Sequence, residues 1–161
     1  MKQFLLFLLC LPMIGFGQLT YVPDSVFEAV LEAGLLGNGI PNDDSVSSNA
    51  VSTVTQLYLA GLGISDLTGI EDFDSLQILY CDNNQISTLD LISNTMLDYL
   101  NCNNNQISIL DLSSNTALSE LHCDTNNINS LNINNATSLT ILRCNDNQLT
   151  YLNISNNLLL I

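Results

Sequence analysis

The sequence from residue 76 onward consists of a repeat of 21 residues. Four copies follow one another without a gap, over residues 76–96, 97–117, 118–138 and 139–159. The first copy reads LQILYCDNNQISTLDLISNTM, and all four copies keep apolar, cysteine and asparagine residues at the same places. A fixed period in this range indicates a solenoid, because so short a unit cannot bury its own apolar face and must stack on its neighbours.

Two residue columns recur at this step. We expect the asparagines to be buried where the chain turns, because an amide can donate to and accept from the backbone groups that the turn leaves unpaired. The asparagine ladder comprises Asn84, Asn105, Asn126 and Asn147, and the cysteine column comprises Cys81, Cys102, Cys123 and Cys144.

The cysteine column allows three interpretations. An even number of cysteines in an exported protein favours disulfides, and stacked strands lie about 4.8 Å apart, within the range that a disulfide tolerates. In-register neighbours, however, point their Cβ atoms the same way, which is poor geometry for a bridge. Four residues in a line also cannot surround one metal ion. We therefore expect free thiols that act as small core hydrophobes, and we predict neither a metal site nor a cofactor.

The pattern within a copy, LxxLxCxxNxIxxL, resembles the leucine-rich repeat, with Cys in place of the third leucine. The resemblance extends over about two thirds of the chain, and four copies in one register make it specific. Residues 54–75 form a degenerate first copy of 22 residues, in which Leu62 replaces the asparagine and the tail SDLTGIE resembles the internalin type of bacterial repeat. The whole is similar to the secreted leucine-rich-repeat proteins of bacteria.

This resemblance implies the fold. It predicts right-handed coils with a parallel β-sheet on the concave face and an N-terminal capping helix. The apolar residues two places apart in the return half of each copy favour a short extended segment on the convex side, rather than a helix. The coils would occupy residues 54–161, with the start of a sixth repeat after residue 159.

The residues before the coils predict an export signal and a cap. Lys2 precedes an apolar run that ends in small residues, which is typical of a signal peptide spanning residues 1–17. We interpret residues 18–53 as the cap, with a helix over residues 24–36 that covers the first coil. Ser25 and Glu28 have capping-box spacing, and residues 38–48 are expected to form a loop.

The charge of the chain limits its partners. Without the signal peptide the chain has 16 acidic residues and one basic residue, Arg143, which gives a formal net charge of −15. Such a surface repels phosphate backbones and anionic lipid, so nucleic acid and membrane insertion are not expected. Basic protein surfaces and cations would be attracted. The apolar fraction of 47%, at regular positions, predicts a packed core rather than disorder.

Proteins that resemble this chain usually bind through the concave face, so the outward strand residues are the candidate site. Tyrosines at one end of this face and the only His and Arg of the mature chain at the other make it the most varied surface, and Tyr and Arg are common interface anchors. The alternative is a solvated face without a partner. The candidate binding residues are Tyr58, Tyr80, Tyr99, Asn101, Glu120, His122, Asp124 and Arg143.

Chemistry at this face is not expected. His122 lies between Glu120 and Asp124 on one strand, but residues two apart are about 7 Å from each other, too far to share one ion without convergence. Arg143, beside His122, would instead pair with the two carboxylates. Calcium at the acidic segments 43–44 and 71–74 is an alternative, but neither has the spacing of a calcium loop, which favours solvated acidic loops.

We therefore predict a non-enzymatic binding module, secreted or held at the cell surface, that takes a protein or glycan on its concave face. The alternative is a structural or adhesive spacer that self-associates end to end, or a fragment of a larger surface protein. In that case the last coil would expose apolar residues such as Leu152, Ile154, Leu158 and Leu160 to whatever follows.

Overall fold

The computed structural model describes residues 17–161, and it confirms the leucine-rich-repeat solenoid. One strand from each coil contributes to a five-stranded parallel sheet along the concave face. Each neighbouring pair is in register at the repeat spacing, so that Leu79 lies beside Leu57 on one side and Leu100 on the other. The strands are β3 (Gln56–Tyr58), β4 (Ile78–Tyr80), β5 (Tyr99–Asn101), β7 (Glu120–His122) and β9 (Ile141–Arg143).

The convex side of the solenoid is extended, as the apolar pattern predicts. Two return segments, β6 (Ile109–Asp111) and β8 (Ser130–Asn132), pair as a parallel two-stranded sheet. The residues between the two sheets form one continuous core, which includes the inward leucines of both. Only the first coil has a helical return, a 3-10 helix over Ile70–Asp72. Burial of apolar side chains between stacked coils is therefore the main stabilising interaction.

The cap is more elaborate than the sequence predicts. A strand β1 (Leu19–Tyr21) pairs antiparallel with β2 (Ser45–Ser47), so the expected loop at residues 38–48 is wrong in its second half. A short helix α2 (Ser48–Val51) follows directly. These elements pack on the first helix and cover the end of the solenoid core. The predicted signal peptide lies outside the described residues, except for Gly17.

The first helix, α1 (Ser25–Ala33), is shorter than the expected span of residues 24–36, and it begins differently. Its N-cap is Asp24, whose Oδ1 accepts hydrogen bonds from the backbone N–H groups of Val26 and Phe27 at 3.0 and 3.1 Å. The predicted capping box of Ser25 and Glu28 is therefore wrong. A carboxylate one residue earlier reaches the same unpaired N–H groups and also favours the helix dipole.

Asp24 also joins the cap to the first coil. Its Oδ2 accepts from the N–H of Ser65 at 2.8 Å, from the Ser65 hydroxyl at 2.9 Å and from the N–H of Asp66 at 3.2 Å. Partial burial favours the neutral carboxyl, but these bonds outweigh it and hold the pKa of Asp24 below its ordinary value. The ionised side chain therefore holds two parts of the fold together.

Close approach of the cap also explains one glycine. Gly69 has φ +102°, and a Cβ atom there would lie 2.7 Å from the carbonyl oxygen of Tyr21. A side chain would both strain the backbone and push β1 away from the first coil.

Phe27 of α1 stacks on Phe73 of the same coil, with ring centroids 6.2 Å apart. The cap and the first coil thus share one apolar contact.

The asparagine ladder links each coil to the one before it. Asn105 donates from Nδ2 to the carbonyl oxygens of Cys81 and Cys102, at 2.9 and 3.1 Å, and accepts at Oδ1 from the N–H of Ile86 at 3.0 Å. Asn126 repeats these contacts one coil further on. The residue before each ladder asparagine is left-handed, with φ between 51° and 57° at Asn83, Asn104, Thr125 and Asp146.

A second asparagine ladder lies at the far turn of the coils. Asn115 is fully buried, and its Nδ2 donates to the carbonyls of Leu91 and Asn94 at 3.0 and 2.9 Å. Asn94 and Asn157 make the equivalent bonds, each to two carbonyls of the preceding coil. The fourth coil has Ala136 at this position. The 21-residue spacing of these asparagines is visible in the sequence, although Ala136 interrupts it.

The four cysteines of the solenoid are free thiols. Cys81, Cys102 and Cys123 are buried, and Cys144 in the last described strand is half-buried. Burial raises the pKa of all four thiols, and nearby carboxylates raise it further. Since the thiolate is the reactive form, these side chains act as core packing rather than as nucleophiles.

Candidate functional site

The concave sheet places the candidate residues in columns that cross the coils. Because side chains alternate along a strand, the first and third residues of each strand point away from the core. Tyr58, Tyr80, Asn101, His122 and Arg143 form the central column, since the strands pair residue for residue. Each of the five is at least partly exposed.

Four rings form a continuous stack across this face. Tyr58 stacks on Tyr80 with centroids 5.3 Å apart, and Tyr80 contacts Tyr99 at 4.8 Å. Tyr99 in turn lies 5.6 Å from the ring of His122. The stack therefore crosses from the central column to the neighbouring one and back. Such contacts hold the rings in place, because each aromatic pair adds about 0.5–1.5 kcal/mol beyond its burial.

Hydrogen bonds fix both ends of this stack. The Tyr58 hydroxyl donates to Oε1 of Gln56 at 2.9 Å, and Nε2 of His122 lies 2.6 Å from Oε1 of Glu120. In each pair the partners are two residues apart on one strand. Gln56 was not among the candidate residues, although its place on the same face as Tyr58 is visible from the alternation of the strand.

The expected ion pairs of Arg143 are not formed. Within residues 17–161, the one pair of oppositely ionisable side chains within 4 Å is His122 with Glu120. Arg143 is exposed, and Asp124 is held elsewhere, because its Oδ1 accepts from the N–H of Asn145 at 2.6 Å. The neighbouring histidine reaches Glu120 on its own strand, and Arg143 forms no ion pair with the residues that the structure describes.

Tyr99 is the most perturbed group of the face. Burial raises the pKa of its hydroxyl well above the ordinary range, and Tyr80 and the carboxylates of Glu120 and Asp82 raise it further. The phenol is therefore protonated at every physiological pH and can donate a hydrogen bond. Asn101, the remaining candidate, uses its Oδ1 to accept from the N–H of Asn103 at 3.2 Å.

The concave face shows little sign of a catalytic or metal-binding site. In the described part of the chain, no three His, Cys, Asp or Glu side chains converge as metal ligands would. The same residues include no helix with the length and apolar composition needed to cross a membrane. What the face offers is a rigid row of rings, hydroxyls and amides with carboxylates beside it.

Comparisons with known proteins identify similar chains. No protein-family model matches. A curated relative, internalin J of Listeria monocytogenes serotype 4b, is 42% identical over 52 residues, which are 32% of this chain and 6% of that protein. A solved structure described as the functional domain of InlJ from Listeria monocytogenes, which includes a cysteine ladder, is 36% identical with a TM-score of 0.78. It covers 89% of this chain, and the chain spans 32% of its length.

A second solved structure is similar in fold. An internalin from Listeria monocytogenes, inlF, is 23% identical with a TM-score of 0.62, and the match covers 87% of this chain and 48% of that one. This chain therefore spans less than half of each of these relatives.

Proposed function

We propose that this chain, an internalin-like leucine-rich-repeat protein, is a non-enzymatic binding module that holds a partner on its concave face. The observation that carries the proposal is the ring stack from Tyr58 to His122, which orders the exposed side chains of four consecutive strands. Ordered side chains lose little conformational entropy on binding, so the face is preorganised for a partner. Export by residues 1–17 would place the module outside the cell or on its surface.

The geometry of the stack favours a protein over a glycan. Sugars bind tyrosines mainly across a free ring face, but Tyr80 and Tyr99 each contact two neighbouring rings. The stack instead presents ring edges and hydroxyls, next to Asp82 and Glu120. Polar groups and basic side chains of a protein surface would pair with these, in keeping with the net negative charge of the chain.

Substitution within the central column tests the proposal. Asn101 occupies this column naturally, so Tyr58→Asn, Tyr80→Asn, His122→Asn and Arg143→Asn should leave the strands intact. We expect a partner captured by the wild-type chain to be lost by the combined variant, with an unchanged circular dichroism spectrum. The control is Tyr151→Ser on the convex side, where the preceding coil has Ser130. If the partner is retained after all four changes, the concave face is not the binding site.

A structural role is the second candidate. The last coil exposes three apolar side chains, with Ile154 at 49%, Leu159 at 55% and Leu158 at 86%. An apolar patch at one end of a solenoid favours end-to-end association. The test is the double variant Leu158→Thr with Leu159→Ser. Each new residue already occurs at the equivalent position of an earlier coil, as Thr116 for position 158 and Ser138 for position 159. If this variant and the wild type sediment alike at all concentrations, the chain does not self-associate through this end.

A further inference from the structure

A groove on the convex side crosses the first three coils, opposite the candidate binding face. It consists of two adjoining cavities of about 370 and 300 Å³ that share Asp90 and Ile92. We call it the convex groove. Its principal side chains are Thr68, Glu71, Asp90, Ile92, Ile109 and Asp111.

The carboxylates of the convex groove are held in position by backbone groups. Asp90 accepts at Oδ1 from the N–H of Ile92 at 3.0 Å, and Glu71 accepts at Oε2 from the N–H of Gly69 at 2.8 Å. Asp111 accepts at Oδ1 from the N–H of Ser113 at 2.9 Å and from Nδ2 of Asn132 at 3.0 Å, and the Ser113 side chain also helps to lower the pKa of this carboxyl. In the described part of the chain no donor reaches the second oxygen of Asp90 or Glu71. Each of these two carboxylates therefore presents an unpaired acceptor.

Two isoleucines give the groove an apolar part. Ile92 and Ile109 are each 62% exposed, although they lie on neighbouring coils beside the carboxylates. Packing does not require them, because the equivalent of Ile92 in the next coil is Ser113 and the equivalent of Ile109 is Ser130. A single exposed apolar residue needs no explanation, but two that share a groove with several carboxylates form a surface of defined chemistry.

We propose that the convex groove is a second docking surface, which binds a cationic amphipathic segment of another protein. Lys or Arg side chains would pair with the carboxylates of Glu71, Asp90 and Asp111, and an apolar side chain between them would cover Ile92 and Ile109. Charge complementarity favours a cationic occupant, because the chain has 16 acidic residues but only two basic ones, Lys2 and Arg143. An extended segment that crosses the coils would turn every second side chain toward the groove.

A labelled peptide that repeats Lys-Lys-Ile-Ile is a suitable probe, because an extended segment then presents both Lys and Ile on each face, with fluorescence anisotropy as the readout. The test variants copy the convex surface of the later coils: Asp90→Asn with Asp111→Asn reproduces Asn132 and Asn153, while Ile92→Ser with Ile109→Ser reproduces Ser113 and Ser130. Each substitution therefore places a residue that the same solenoid position already accepts, and the fold should be preserved.

We expect each double variant to weaken peptide binding by about tenfold, as two partly exposed ion pairs or two apolar contacts would. The matched control is Asp98→Ser with Asp146→Asn, which removes two carboxylates outside the groove and copies Ser119 and Asn104. This control should change affinity less than twofold.

Three results would overturn the proposal. An equal loss of affinity in the control would show that net charge alone attracts the peptide. Equal binding of a peptide in which Ser replaces Ile would show that the isoleucines take no part. Loss of binding in the four-residue concave variant, with the groove unchanged, would place the peptide on the opposite face.

Discussion

Replacement of Asn105 by Leu tests whether the asparagine ladder holds the coils together. The side chain is 8% exposed and lies between two coils. Leucine has a similar volume and is apolar, so the variant removes the hydrogen bonds without opening a large cavity. The free energy of unfolding should then report the backbone groups that lose their partners.

The structure allows the magnitude to be worked out group by group. The N–H of Ile86 loses the bond to Oδ1 of Asn105, and no other acceptor in the described residues takes its place. The carbonyls of Cys81 and Cys102 are less affected, because Asn84 and Asn126 still donate to them at 3.0 Å. One orphaned buried N–H costs about 1–3 kcal/mol, and two weakened carbonyl contacts add up to about 1 more. We expect a destabilisation of about 1–4 kcal/mol.

Urea denaturation followed by circular dichroism measures this loss, and hydrogen exchange at Ile86 locates it. The control is Gln106→Leu, an exposed neighbour whose substitution should change stability by less than about 0.5 kcal/mol. A second variant, Asn105→Asp, keeps the acceptor for the N–H of Ile86 but places a carboxylate beside the carbonyl oxygens of Cys81 and Cys102. An unchanged denaturation midpoint in Asn105→Leu would refute the reasoning, as would faster exchange throughout the chain rather than at the turn.

Three further changes have clear expectations. Ala136→Asn should change stability by less than about 1 kcal/mol, because the bonds that complete the second ladder are offset by a buried Oδ1 with no partner in the described residues, as at Asn94, Asn115 and Asn157; a loss as large as that of Asn105→Leu would show that the site has no room for the amide. Cys144 should react with a thiol reagent before Cys102, which should need denaturant; simultaneous labelling in the native protein would contradict the burial. Because the pKa of Asp24 is lowered in the folded state, its contribution is complete above the unfolded value of about 3.9 and is lost as the pH falls through the folded value. The stability difference between wild type and Asp24→Asn should therefore shrink below about pH 4, whereas a constant difference would count against this role.

The coils could be predicted because their determinants are local and repeated. Leu79, Cys81 and Ile86 recur at a constant step, and stacking is the only way in which such short units can bury them. The same step shows that neighbouring strands pair in register. The second ladder was equally visible at Asn94 and Asn115, but its interruption at Ala136 hid the period.

The cap could not be predicted in the same way, because it has no repeat. Ser25 and Glu28 satisfied a local capping rule, yet Asp24 satisfies the helix and the first coil together, and a tertiary contact outweighs a local preference. The pairing of β1 with β2 joins residues that are 24 to 28 positions apart, from Tyr21 with Ser45 to Leu19 with Ser47. No local pattern indicates such a pair.

On the concave face, too, some features could be predicted from the sequence and others depended on the tertiary structure. Alternation along each strand was enough to predict which residues point outward. Glu120 could pair with His122 on its own strand or with Arg143 on the next one. The choice depends on how far each side chain reaches across the sheet, so only the assembled strands show that His122 is the partner. The diagonal contact of Tyr99 with Tyr80 and His122 was also invisible in the columns taken one by one.

The sequence by itself determined the solenoid, its period and the residues inside it, because periodic burial leaves one architecture available. The tertiary structure decided which polar groups meet: the carboxylate that joins the cap to the first coil, the rings that stack across four strands, and the carboxylates and isoleucines that share the convex groove. Burial is a property of each position, whereas hydrogen bonds and ring contacts depend on distances between coils. These distances exist only after the coils have stacked.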